Sequence, residues 1–318
     1  VKLYGHYNVG PSTVNLIDTA TATGRGPKRA PLPLDLVKLG PLMRLGPGRP
    51  EITVGLIDGP VAIGHPGLAA ENIRALPGGH AGCDVPHGAA CFHGTFVAGI
   101  LSARRGGAAP ALCPGCRLVA RPIFSESPLA GQLPAASPDE LAAAILECID
   151  AGADVLNISA SLARPSAREE RALRGVLDHA CRRGVAVVAA SGNQSAIGGS
   201  AITRHPWVVP VVGYSLRGRP LSGSNLGAVI GRQGLGAPGQ NVTSISARGG
   251  GATSGGTSVA APFVTGTFAL LLSAFPHART SEVRAALIRS APARRTVVPP
   301  LLDAWAAYRA LRAAQQRR

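Results

Sequence analysis

Aromatic and acidic residues are both scarce in this chain. Phe, Trp and Tyr make up 4% of its 318 residues, and Asp plus Glu number 17 against 32 Lys plus Arg. Scarce aromatics mean that a core must be assembled from Ala, Val, Leu and Ile, and at 46% hydrophobic there is enough of these to exclude disorder over most of the length. The 41 Gly and 27 Pro imply many tight turns. Lys is nearly absent, so the formal net charge of +15 rests on Arg. Those Arg are scattered and not interleaved with aromatics, which argues against a specific nucleic-acid partner. A basic surface could instead steer an acidic peptide into a cleft, a reading the sequence leaves open.

Long hydrophobic runs are lacking too. The most apolar stretch, Ser258 to Phe275, contains Pro262 and two Thr and barely reaches the length needed to cross a bilayer, so a buried helix is expected there and no membrane partner. The start VKLYGHYNVG has no charged region followed by an apolar one, as a secretory signal would, and a cytoplasmic location is the expectation. Nothing in the sequence specifies an oligomeric state.

Six Cys stand at 83, 91, 113, 116, 148 and 181. Cys148 and Cys181 fall in helical patterns, DELAAAILECIDAG and REERALRGVLDHACRRG, and read as buried thiols. Cys83 with Cys91, and Cys113 with Cys116, are close enough for local disulfides, although spacing does not fix the pairing. The run His80, Cys83, His87, Cys91 superficially suggests zinc. Its Gly-rich flanks and spacing match no standard finger, and no metal is expected there. CPGC at 113 to 116 lacks the following helix that would activate a thiol, so it reads as a turn.

Residues 1–50 are rich in Pro and Gly with one short helical pattern, DLVKLGPLMRLG, and read as an N-terminal extension. From Glu51 onward, short continuous apolar runs appear: ITVGLID, RLVARPIF, ADVLNIS, GVAVVAAS and WVVPVVGY. Helical patterns of 10 to 15 residues separate several of them. This alternation predicts an α/β fold with a mostly parallel sheet covered by helices on both faces, over residues 51–290. A C-terminal helix and basic tail follow in 291–318.

Ligands of such sheets lie beyond the carboxyl ends of the strands. The residues there are Asp58, Ser159 to Ser161, and Ser191-Gly192-Asn193. Two further motifs open helical runs: His93-Gly94-Thr95 and Gly256-Thr257-Ser258-Val259-Ala260-Ala261-Pro262. Asp58, His93 and Ser258 supply what nucleophilic catalysis needs, because a serine hydroxyl is a poor nucleophile until an imidazole takes its proton and a carboxylate orients that imidazole. Ser258 at a helix start would also offer its own N–H to a developing oxyanion. By contrast, Gly234-Leu235-Gly236-Ala237-Pro238-Gly239 matches G-x-G-x-x-G without the strand-turn-helix context of a dinucleotide site, and no cofactor is expected. The sequons at Asn157, Asn193 and Asn241 read as incidental.

Together the motifs resemble the subtilases, in the order Asp, His, Asn, Ser with separations of 35, 100 and 65 residues. The resemblance covers about residues 50 to 290. It implies a three-layer subtilisin-like fold, a catalytic triad of Asp58, His93 and Ser258, and Asn193 as the side chain that stabilises the oxyanion. It also implies that Ser159-Ala160-Ser161 forms one wall of the P1 pocket and Ala189-Ala190-Ser191-Gly192 the other. Ser161 stands where the family usually has Gly, which should narrow the pocket. Calcium is common in the family, yet the acidic residues here are unclustered, so no required metal is expected.

Further segments, LIDGPVAIGHPGL, CPGCRLVARPIF, TRHPWVVPVVGY and NLGAVIGRQGLGAPG among them, resemble the subtilases of cyanobactin maturation, which process ribosomally made precursor peptides. That group includes leader-removing proteases and macrocyclases. The macrocyclases carry a long helical insertion between the catalytic Asp and His, whereas only 34 residues separate Asp58 and His93 here. Hydrolysis of a peptide substrate is therefore expected over transpeptidation, and an inactive binding protein of the same fold is the more distant alternative.

Overall fold

The computed structural model describes residues 3–4, 32–77, 83, 88–124, 135–162, 167–290 and 296–317. In chain order its strands are β1 (Leu3–Tyr4), β2 (Thr53–Asp58), β3 (Ile73–Ala75), β4 (Arg117–Pro122), β5 (Ala135–Ala136) and β6 (Val155–Ile158), then β7 (Ser161–Leu162), β8 (Ala186–Ala190), β9 (Val208–Tyr214), β10 (Leu235–Pro238), β11 (Val242–Ile245) and β12 (Gly251–Ser254). The helices are α1 (Pro33–Leu36), α2 (Gly40–Met43), α3 (Ala89–Ser102), α4 (Pro138–Asp150), α5 (Ala167–Arg183), α6 (Ala228–Gln233), α7 (Thr257–Ala274), α8 (Thr280–Arg289) and α9 (Ala304–Gln315).

Seven strands form one sheet in the order β10-β9-β8-β6-β2-β4-β3, and every neighbouring pair is parallel. The five apolar runs are β2, β4, β6, β8 and β9. Two members are not visible as runs: β3 has only three residues, and β10 lies in the Gly-rich stretch 234–239, which is a strand beside β9. Apart from Arg117 of β4 and Arg74 and Ala75 of the edge strand β3, which are exposed, the side chains of the sheet are buried and alternate between two cores. Val54, Leu56, Val188 and Val211 join α3, α7, α8 and α9 on one face, while Ile57, Leu156, Val187 and Ala189 join α4 and α5 on the other. Burial of this kind is the main favourable term in folding, worth about 1.5–3 kcal/mol for each large aliphatic side chain.

The helices differ in how they are held. Ser137 caps α4 by accepting the N–H of Glu140 at 3.0 Å, which satisfies one of the orphan donors at the helix start. α7 is apolar all round. Its length and composition would also suit a membrane span, but residues 257–272 are buried against the sheet. The pattern DLVKLGPLMRLG forms two short helices, α1 and α2, with Lys38 at φ 52 in the break between them. Val37, Leu39 and Leu42 from this region are buried in the same core as α7 and α9.

Two cysteine expectations are settled differently. Cys148 is buried, and burial pushes its thiol pKa up to about 12. Cys181 is exposed, contrary to its reading as a buried thiol. The buried stripe of α5 takes the three-residue step from Leu177 to Ala180 and not the four-residue step to Cys181. Cys83 and Cys91 form a disulfide, so they are not a metal pair, and His80 and His87 lie outside the described residues. Cys113 and Cys116 are buried thiols hydrogen-bonded to each other in a turn closed by Cys116 N–H on the Cys113 carbonyl at 3.0 Å.

Candidate active site

β2, β6 and β8 lie side by side, and their register puts their carboxyl ends level. Ile57 faces Ile158, and Ile158 faces Ala189, so Asp58, Ser159 and Ala190 emerge from one edge of the sheet. α3 and α7 pack against the same core face and deliver His93 and Ser258 to that edge. α3 begins at Ala89, four residues before the expected start, so His93 sits in its second turn.

The three side chains meet in one line. His93 Nδ1 lies 2.7 Å from Asp58 Oδ1, and His93 Nε2 lies 2.9 Å from Ser258 Oγ. Asp58 is fully buried, and His93 and Ser258 keep 3% and 4% of their surface. A buried carboxylate only accepts, so the neutral imidazole carries its proton on Nδ1 and presents Nε2 as the acceptor for the Ser258 hydroxyl. Asp58 Oδ1 also accepts the Gly59 N–H at 2.6 Å, which fixes the carboxylate plane.

Ser258 is the second residue of α7, where helical N–H groups have no intrahelical partner and the positive end of the helix dipole lies. The preceding donor is used: Thr257 N–H bonds Asn193 Oδ1 at 3.0 Å. This contact orients the Asn193 amide, leaving its NH2 as the end directed elsewhere, beside Gly256. Gly256 has φ +123, and a side chain there would press on the Asn193 amide. Thr257 Oγ1 accepts the Gly192 N–H at 3.2 Å, closing a second tie between the two loops.

Glycines set the approach of α3. A Cβ on Gly59 would run into the Ala90 carbonyl, and one on Gly94 into the carbonyls of Gly59 and Pro60. The backbone after Asp58 and the helix carrying His93 therefore interlock, and that contact requires the glycine of the D-G-P motif. Thr95 Oγ1 adds a bond from Ala62 N–H at 2.9 Å, and the Cys83–Cys91 disulfide ties the first turn of the same helix.

Of the expected pocket walls, Ser159 and Ala160 follow β6, and Ala190, Ser191 and Gly192 follow or end β8. All are buried and on adjacent strands. Ser159 Oγ accepts from Asn157 Nδ2 at 3.1 Å, and Asn157 is itself fully buried beneath Thr265, where no glycan would fit. Ser161 lies in β7, and its side chain is outside the description. Sequence reasoning missed Asn225, whose Oδ1 accepts the N–H groups of Gln194 and Ala196, both at 3.0 Å, while its own N–H bonds the Gly192 carbonyl at 2.8 Å. It clamps the loop that carries Asn193. A lone Asn in a turn gives no sign of such a role without its tertiary partners.

A parallel sheet with an aligned Asp, His and Ser at its carboxyl edge defines a serine peptidase of the subtilisin type. Residues 49–307 match the subtilase family (peptidase S8), and the chain belongs to that family and is a serine endopeptidase. It is 29% identical over 270 residues to fervidolysin of Fervidobacterium pennivorans, covering 76% of this chain and 37% of that one. To subtilisin DY of Bacillus licheniformis it is 28% identical over 259 residues, covering 80% and 88%. The chain thus spans little more than a third of fervidolysin, and 52% of mycosin-3 of Mycobacterium tuberculosis. Among solved structures, the protease domain of PatA, a patellamide maturation protease, is similar at TM-score 0.75 and 29% identity over 84% of this chain and 97% of that one. PagA, a prenylagaramide maturation protease, gives 0.74 and 26% over 85% and 98%. The PatG macrocyclase domain, at 21% identity and TM-score 0.74, shares the fold.

Proposed function

We propose that the chain hydrolyses peptide bonds through an acyl-enzyme on Ser258 and removes the leader from a ribosomally made precursor peptide. The observation that carries the chemistry is the continuous hydrogen-bonded line from Asp58 through His93 to Ser258. In this reading Ser258 Oγ attacks the scissile carbonyl while His93 Nε2 takes its proton, and the oxyanion is held by the Ser258 N–H and the Asn193 amide. His93 then protonates the leaving amine as the C–N bond breaks. Water, deprotonated by the same imidazole, releases the acyl group as a carboxylate.

The likeness to PatA and PagA supports a precursor peptide as substrate. The short span from Asp58 to His93 supports hydrolysis over macrocyclisation. The narrower P1 pocket implied by Ser161 favours small or unbranched P1 residues.

Mass spectrometry of a precursor peptide incubated with the protein tests the reading. Hydrolysis adds one water across the two products, whereas a macrocycle is lighter than the hydrolysed segment by one water. Ser258→Ala should abolish turnover with the fold intact. Turnover comparable to the parent would overturn the assignment.

A further inference from the structure

β8 and β9 are neighbours in the sheet, so the segments that leave their carboxyl ends start side by side. After β9 the chain turns at Gly218 and doubles back, with Leu221 N–H on the Gly213 carbonyl at 2.8 Å. That return lays residues 223–226 along residues 192–198, the segment that carries Asn193. Backbone bonds join the two: Ser195 N–H to the Gly223 carbonyl at 2.9 Å, Leu226 N–H to the Ala196 carbonyl at 2.9 Å, and Gly198 N–H to the Leu226 carbonyl at 2.7 Å. Within this pairing, Asn225 bonds on both sides of Asn193.

Peptide groups are planar, so the two planes that flank a residue fix its φ and ψ and with them the direction of its side chain. The plane before Asn193 carries the Gly192 carbonyl, which accepts the Asn225 N–H at 2.8 Å. The plane after it carries the Gln194 N–H, which donates to Asn225 Oδ1 at 3.0 Å. One residue therefore holds both planes. Asn225 Oδ1 takes a second bond from Ala196 N–H at 3.0 Å, and Nδ2 donates to Gln194 Oε1 at 2.5 Å, so the two backbone donors define which end of the amide is oxygen. Gly192, at φ +103, leaves room for this amide, because a Cβ there would run into Asn225 Nδ2 and Gln194 Oε1. Asn193 is thus held at its base by Asn225 and at its tip by the Thr257 N–H.

We propose that Asn225 is a positioning residue for the oxyanion: by fixing the backbone on both sides of Asn193 it aims the Asn193 carboxamide at the reacting carbonyl. This inference rests on the reading of Asn193 as an oxyanion donor. Gln194 and Ala196 are exposed, so water can replace the acceptor that Asn225 gives their N–H groups. Loss of the Asn225 side chain therefore loosens the segment without unfolding the protein. The cost falls on the transition state, where a donor must already stand at the place the charge appears.

The test is a double-mutant cycle on Asn225 and Asn193, read by steady-state kinetics on a cleaved peptide. Asn225→Ala should lower kcat about tenfold and leave KM within about twofold, with a folded circular dichroism spectrum. In the Asn193→Ala background the same change should cost less than about twofold, because the donor that it positions is gone. Should Asn225→Ala fail to fold, Asn225→Ser carries the test: its hydroxyl can accept one of the two N–H groups, and a loss in kcat of about threefold that vanishes in the Asn193→Ala background is expected. Equal losses in the two backgrounds would mean that Asn225 acts independently of Asn193 and would overturn the inference. So would a change in KM alone, or an unchanged kcat beside a large loss in Asn193→Ala, and either leaves the oxyanion reading standing. A kcat unchanged by Asn193→Ala overturns both.

Discussion

On one face of the sheet lie α4 and α5, amphipathic helices with charged outer sides. On the other lie α3 and α7, buried over most of their length. The outer pair is held by side-chain contacts. α5 inserts Leu173, Leu177 and Ala180, and α4 reaches Arg121 of β4 through Glu147 at 2.6 Å and Glu140 at 2.7 Å, carboxylates that hold the guanidinium pKa above its usual range. The inner pair is held by backbone contacts that glycine alone permits and by ties through Thr95, Thr257 and Asn193. Both proposed proton-transfer partners, His93 and Ser258, are on the inner pair. Close packing on all sides leaves such helices little freedom, and placement of reacting groups to a fraction of an ångström requires that.

Four substitutions would sharpen or break this contrast. The largest effect is expected from Asn193→Ala, which should lower kcat by about 100-fold or more with little change in KM, a magnitude borrowed from the equivalent donor in subtilisin. Steady-state kinetics on a cleaved peptide decides it, and a pure KM effect would make Asn193 a substrate-binding residue. Gly94→Ala comes next. Its new methyl meets the carbonyls of Gly59 and Pro60, so α3 must shift, and a displacement near 1 Å should cost about 100-fold in kcat/KM. Circular dichroism should show a folded protein, and unchanged kinetics would show that the interlock does not position His93.

Leu177→Ala on the opposite layer should behave in the opposite way. Denaturant melts should show a loss of about 2–5 kcal/mol, while kcat/KM of the folded protein stays within about twofold. A large activity loss without destabilisation would mean that the layers are not separable. The smallest effect is expected from Ser161→Gly, which should raise kcat/KM about tenfold for Phe at P1 and leave small P1 residues unaffected, on the scale of a carbon-sized change in a pocket. A parent that already prefers Phe or Tyr would show that Ser161 does not line P1.

The same contrast explains what the sequence revealed. β2, β4, β6, β8 and β9 are legible because strands buried on both faces must be continuous apolar runs. β10 is not, since Gly-Leu-Gly-Ala-Pro-Gly lacks β-branched residues and owes its conformation to β9 and to the Leu302 N–H on the Gly236 carbonyl. The outer helices show themselves by period, though Cys181 falls off the buried stripe that the period suggests. α3 has no apolar period because nearly all of it is buried, and its start at Ala89 was therefore hidden. Asp58, His93, Asn193 and Ser258 were legible as local motifs whose order resembles a family. Asn225 and the contact of Gly59 with Ala90 were not, because each exists only once distant segments meet.

The central claim is that Ser258 is a nucleophile activated by His93, and labelling with a fluorophosphonate followed by peptide mapping tests it most directly. One adduct on Ser258 is expected, formed rapidly by the parent and slowed by orders of magnitude in His93→Ala, since phosphonylation requires the same proton transfer. An adduct on another residue, or equal labelling of the two proteins, would contradict the account.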